Sequence, residues 1–145
     1  MSGLYLTISS SIQSLWALGW AHPTVPVYWR ANDADPEPDP STIAHFLRNE
    51  VDFGRERLMA FGGGRFANER SQFGSVLITV WAARDVGSEN TALDLMADAT
   101  AIFRSVRSGD LSFIGEGSGF MSGPDETGNW FVRSFLTVFE YRFTG

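Results

Sequence analysis

Apolar positions along the chain recur at two periods. Leu4, Ile8, Ile12, Leu15, Trp16 and Gly19 follow helical spacing, with Ser9, Ser10, Gln13 and Ser14 opposite, so a helix is expected over residues 4–20. His22-Pro23 ends it, because the residue before a proline is held out of the helical region. The run VPVYWR (25–30) reads as a short extended piece whose proline suits an edge strand or a strand entrance. Residues 43–53 alternate. Phe46, Arg48, Glu50 and Asp52 share one side, and Leu47, Asn49, Val51 and Phe53 share the other, giving a strand with one polar and one mostly apolar face.

The second half carries the clearest signals. Residues 73–83 hold Val76, Leu77, Ile78, Thr79, Val80 and Trp81, a β-branched and aromatic run apolar on both faces, as a central strand requires. Arg84-Asp85-Val86-Gly87 turns the chain. Ser88 then caps a helix expected to reach Arg107, with Ala92, Leu95, Met96, Ala99, Ile102, Phe103 and Val106 along its apolar stripe. Glu89 at its start and Arg104 and Arg107 at its end match the helix dipole, and Gly109 supplies a stop. A glycine-rich strand is expected over 111–121, a turn over 123–129 and a long closing strand over 130–143. In that last strand Trp130, Val132, Leu136 and Val138 alternate with Phe131, Phe135, Phe139, Tyr141 and Phe143, so both faces are apolar. One face is expected on a helix and the other on something else, with a second subunit as candidate.

The order of elements predicts an α/β (α+β) sandwich in a single domain over residues 1–145. Its sheet is mainly antiparallel and four- to five-stranded, with two helices packed on one face and a long hairpin arm.

Two stretches fit neither period. Residues 32–41 (NDADPEPDPS) contain three prolines and four acids and read as a loop. Asp33, Asp35 and Glu37 alternate there as oxygen donors, but an EF-hand starting at Asp33 would have Pro38 and Ala44 where glycine and glutamate are needed. Residues 54–72 combine the triplet Gly62-Gly63-Gly64 with Arg55, Arg57, Arg65 and Arg70, and with Leu58, Met59, Phe61 and Phe66. No GxxxxGK[ST] is present, so this is no P-loop. A connection this apolar and arginine-rich suits a hairpin arm that docks on something.

Composition narrows the function. Cysteine is absent, which removes disulfides, thiol nucleophiles, redox motifs and cysteine-based zinc sites. The net charge of −6 disfavours non-specific nucleic-acid binding, which needs an excess of cations on phosphates. No apolar run is long enough for a bilayer, and the first basic residue is Arg30, so no secretory leader is expected and a soluble cytoplasmic chain is. Charged residues are 19% of the chain, below the roughly 25% usual for soluble domains, and aromatics are 14%. All 11 basic residues are arginine. GC-rich coding accounts for a lysine-free chain. Arginine also suits surfaces that become interfaces, because its planar fork pairs with carboxylates and is weakly hydrated.

Catalytic signals are thin. His22 and His45 sit at a helix end and before a strand, and no GxSxG is present. Ser118 in GEGSG lacks the strand-to-helix turn of a nucleophile elbow. Asp94 and Asp98 lie one helical turn apart on an exposed face, which suits a solvated surface or recognition by an arginine-bearing partner. No catalytic residue, metal ligand or cofactor site is expected.

In sequence order, VPVYWR, the acidic proline-rich loop, FLRNEVDF, the Gly/Arg-rich connection, FGSVLITVWAARDVG, the following helix and the closing GNWFVRSFLTVFEYRF span almost the whole chain. This arrangement resembles the small tail-terminator-like proteins of long-tailed, siphovirus-type bacteriophages. The resemblance implies a virion protein assembled in the host cytoplasm. It forms a hexameric ring at the head-proximal end of the tail tube, ends tube polymerisation and presents a surface to the head–tail connector or stopper protein. DNA passes through the lumen without specific binding.

A closed ring needs two different patches on each subunit. The arm (Arg55, Arg57, Leu58, Met59, Phe61, Arg65, Phe66, Arg70) and the last strand (Phe131, Arg133, Phe135) are the candidates. Asp33, Asp35, Glu37 and Asp39 are candidates for an acidic lumen lining that lets DNA slide. The alternatives are another head–tail neck protein, or a small-molecule-binding or hydrolytic α/β domain. The last would show a closed apolar pocket with converging polar groups.

Overall fold

The run of β-branched residues near the middle of the chain becomes the centre of the fold. In the computed structural model, which describes residues 3–30, 44–60, 69–84, 88–104, 107–113, 119–124 and 130–144, strand β3 (Glu69–Ala83) is paired along both edges. One edge takes β2 (His45–Ala60), antiparallel from His45↔Ala82 to Ala60↔Glu69. The other takes β7 (Trp130–Thr144), antiparallel from Ala83↔Trp130 to Glu69↔Thr144. A short strand β1 (Val27–Trp29) lies parallel to β2 at residues 47–49 and forms one sheet edge. The proline-flanked run is therefore an edge strand, as its proline requires.

Because β3 occupies one edge of β7 throughout, every other partner of β7 shares its second edge. Strand β5 (Leu111–Phe113) pairs there with residues 139–141, and β6 (Gly119–Pro124) with residues 131–135. The single strand expected over 111–121 is thus two strands at different levels. Strand β4 (Arg107–Ser108) completes the sheet, whose order is β1-β2-β3-β7-β5-β4 with β6 also on β7. One parallel pair, β1 with β2, makes the otherwise antiparallel sheet mixed.

Helices α1 (Leu4–Gly19) and α2 (Ser88–Phe103) cover one face of this sheet. Their buried stripes are Leu4, Ile8, Ile12 and Trp16 on α1, and Ala92, Leu95, Met96, Ala99 and Phe103 on α2. Against them lie Leu47, Val76, Ile78, Val80, Ala82 and Phe139. Each fully buried large side chain here contributes about 1.5–3 kcal/mol relative to exposure. The architecture is the expected α+β sandwich with both helices on one face.

Helix α2 ends at Phe103, four residues before the expected end. Arg104 lies just beyond it and Arg107 opens β4, so no basic residue occupies its last turn. Gly109, at φ +59, does not stop the helix. With Asp110 it forms the two-residue turn of the β4–β5 hairpin, in which Ser108 pairs with Leu111. The local signals for a helix end serve a tight hairpin instead.

Candidate assembly surface

The face of the sheet away from the helices divides into two zones. At one end Phe46, Trp130 and Val132 are buried with Tyr28, Trp81 and Ala83 around them. Phe46 stacks on Trp81 at 5.4 Å and meets Trp130 edge-on at 5.2 Å. Part of the apolar second face of β7 is therefore occupied within its own chain. Along the rest of that face Ser75, Leu77, Thr79, Ser134, Leu136 and Val138 are half-buried, and Thr79 and Ser134 join hydroxyls at 3.2 Å. No helix covers this zone among the described residues.

The arm extends from the same sheet. Residues 54–60, which open the expected hairpin arm, continue β2 in register with β3, after a bulge between Phe53 and Glu56. Described positions 52–58 are all exposed. Strand β7 runs alongside β3 as far as Thr144, so the base of the arm is three strands wide. Beyond Asn49 the outer edge of β2 has no partner strand among the described residues. A long unpaired edge is a template for another chain.

Charge on the arm is unevenly satisfied. Arg70 lies 3.4 Å from Glu56. Arg142 reaches Glu140 at 3.3 Å and Glu69 at 4.0 Å, and Ser71 donates to Glu140 at 2.7 Å. Arg55 and Arg57 have no side-chain partner among the described residues, and Leu58 is 37% exposed beside them. Arg55, Arg57, Leu58 and Arg70 are thus brought together on one hairpin. Met59 lies in β2 but its side chain is outside the described set, as are Phe61, Arg65 and Phe66.

The last-strand trio goes elsewhere. Phe131, Arg133 and Phe135 point to the helix side, and the two rings pack against the main core. Arg133 lies 3.7 Å from Glu89 of α2, with its guanidinium 5.9 Å from the Phe131 ring centre. All three side chains thus take part in the subunit's own helix–sheet contact. Asp33, Asp35, Glu37 and Asp39 fall outside the described residues, as does Ser118.

Sequence reasoning anticipated a second apolar face of the last strand but missed that Leu77 of β3 shares it, and it missed the β2 edge that has no partner strand among the described residues. The period-two alternation of residues 71–83 contained the first; the second depends on where β1 ends. The two histidines stay on separate elements. His22 lies 2.5 Å from Asp98 of α2, tying the end of α1 to α2, while His45 starts β2. Among the described residues no three His, Asp or Glu side chains gather as metal ligands would. No described helix is long and apolar enough to cross a membrane. Open grooves lie on the helix layer, one along the outer side of α1 lined by Leu6, Ser10, Ser14 and Leu18, another where Gly19 and Ala21 meet Asp98 and Ile102.

No family model matches the chain, and no curated protein matches it. Among solved structures, one chain whose name states no activity is similar over 90% of this chain and 96% of its own, with a TM-score of 0.57 at 17% identity. At that identity the likeness shows a shared fold.

Proposed function

We propose that this chain is a tail-terminator-like virion protein that forms a hexameric ring on the head-proximal end of a siphovirus-type tail tube. In this reading the ring stops tube growth and offers its free side to the head–tail connector. The observation that carries it is the arm: a paired hairpin with exposed Leu58, whose outer edge and whose Arg55 and Arg57 have no partner among the described residues of its own subunit. A subunit that worked alone would gain nothing from holding such a surface in water. The sheet face that no described helix covers supports the same reading, because half-buried Leu77, Leu136 and Val138 lie together there.

The net charge of −6 fits a channel that DNA traverses. In this proposal the acidic segment around Asp33, Asp35, Glu37 and Asp39 faces the lumen, and the partners are other copies of the chain, the tail tube protein and the connector. The chain acts by shape and contact, without a catalytic step or cofactor.

The test is a tube-growth assay. Tail tube protein polymerised with this protein present should give tubes of limited length, and pre-formed tubes so treated should no longer elongate. Tubes that grow equally long with and without it would overturn the proposal.

A further inference from the structure

The arm has a complement elsewhere on the same chain. Helix α2 holds Glu89, Asp94 and Asp98 and no basic residue. On its outer side Leu93, Ala97 and Ala101 recur every four residues and are all exposed, with Asn90, Asp94 and Asp98 in the adjoining row. Leu93 is 39% exposed. Glu89 is drawn to Arg133 and Asp98 to His22, but Asp94 has no side-chain partner among the described residues. A shallow apolar row flanked by the exposed Asp94 carboxylate therefore faces solvent. The arm presents the reverse along its outer edge: exposed Leu58 on one face of the strand and, on the other, Arg57, which like Arg55 has no side-chain partner among the described residues.

The two surfaces cannot meet within one subunit. Helix α2 starts beside Arg133 and ends with Phe103 against Phe113, at 4.7 Å, whose ring lies 6.2 Å from Phe139, the cross-strand neighbour of Gly74. Residues 54–60 run on past that level, held to β3 as far as Ala60↔Glu69. At about 3.3 Å per residue Arg55 lies roughly 7 Å, and Leu58 roughly 17 Å, past the level of Gly74 where the helix ends.

The geometry points to a head-to-tail contact in which residues 54–60 of one copy lie along the outer side of α2 of the next. Leu58, on one face of the strand, sits on the row of Leu93 and Ala97. Arg57, on the opposite face, and Arg55 beside the bulge reach the adjoining row and pair with Asp94 and with the free side of Asp98. The contact uses two different patches, so successive copies repeat it and a closing rotation makes a ring. It rests on the ring reading above and supplies its subunit-to-subunit joint. Apolar contact gives the adhesion, while the charges set register and reject wrong partners.

Disulfide trapping tests it, because the chain has no cysteine of its own. In full-length protein carrying Leu58→Cys and Leu93→Cys, oxidation in the presence of tail tubes should give a ladder of covalent multimers that ends at the ring. Adding Arg57→Glu or Asp94→Arg should abolish the ladder, and adding both together should restore it. Absence of a ladder from the double-cysteine chain overturns the contact, as does a ladder indifferent to charge reversal. If the unaltered protein still caps tubes with rings, only this joint fails. If it forms no rings at all, the ring reading and this contact fail together.

Discussion

Gly74 is the residue on which the distal half of the sheet depends. A Cβ at this position would lie 2.4 Å from both the Asp52 carbonyl oxygen and the Phe139 ring. The glycine is flanked across the sheet by Phe53 and Phe139, whose rings meet edge-on at 6.2 Å over the space it leaves. Overpacking of this kind costs about 1–3 kcal/mol, so Gly74→Ala should lower the melting temperature measurably, with the shift read by calorimetry or circular dichroism. An unchanged melting temperature would mean that the aromatic bridge does not fix this part of the fold. Asn49 has the opposite character: it is fully buried on the helix side, and among the described residues neither amide atom has a hydrogen-bond partner. A buried amide left unsatisfied costs about 1–3 kcal/mol, so Asn49→Leu should stabilise the protein by an amount of that order in urea unfolding. From sequence Asn49 is one polar position on an apolar face; its lack of a partner emerges only from the packing.

Among the elements, those with a strong period were legible and those set by distant pairing were not. The buried stripe of α1 and the alternation of β3 follow directly from their sequences, because each element faces a single core. The end of α2 was not legible, since Arg104, Arg107 and Gly109 carry the chemistry of both a helix end and a hairpin. The division between β5 and β6 depends on which edge of β7 is open, a fact about other strands. In β7 both faces are apolar, so its period could not say that Phe131 and Phe135 turn toward the helices while Leu136 and Val138 stay on the open side. The cationic, apolar character of the arm was legible from composition; that Arg70 is held by Glu56 while Arg55 and Arg57 have no side-chain partner among the described residues required coordinates. At this scale the account predicts a separation of stability from assembly. Arg55→Glu with Arg57→Glu should leave the melting temperature nearly unchanged, because exposed charges remote from a partner contribute only a few tenths of a kcal/mol. The same variant should lose the ability to limit tube length.

For the whole molecule, two layers account for the division of labour. Helices satisfy one face of the sheet and aromatic residues fill one end of the other; among the described residues this leaves a strip of sheet without a helix over it, a strand edge without a partner and a charged arm. These remain at the periphery of the subunit, where a neighbour can reach them. The low charge and the all-arginine cations fit that arrangement, since side chains that become covered are cheaper to desolvate as arginine than as lysine. The most direct measurement of the central claim is electron cryomicroscopy of tail tubes incubated with the purified protein. The account predicts a six-fold ring of this chain at one end of each tube only, the end that joins the head, with a continuous lumen through it. Tube ends without added density, alongside protein that remains monomeric, would contradict it.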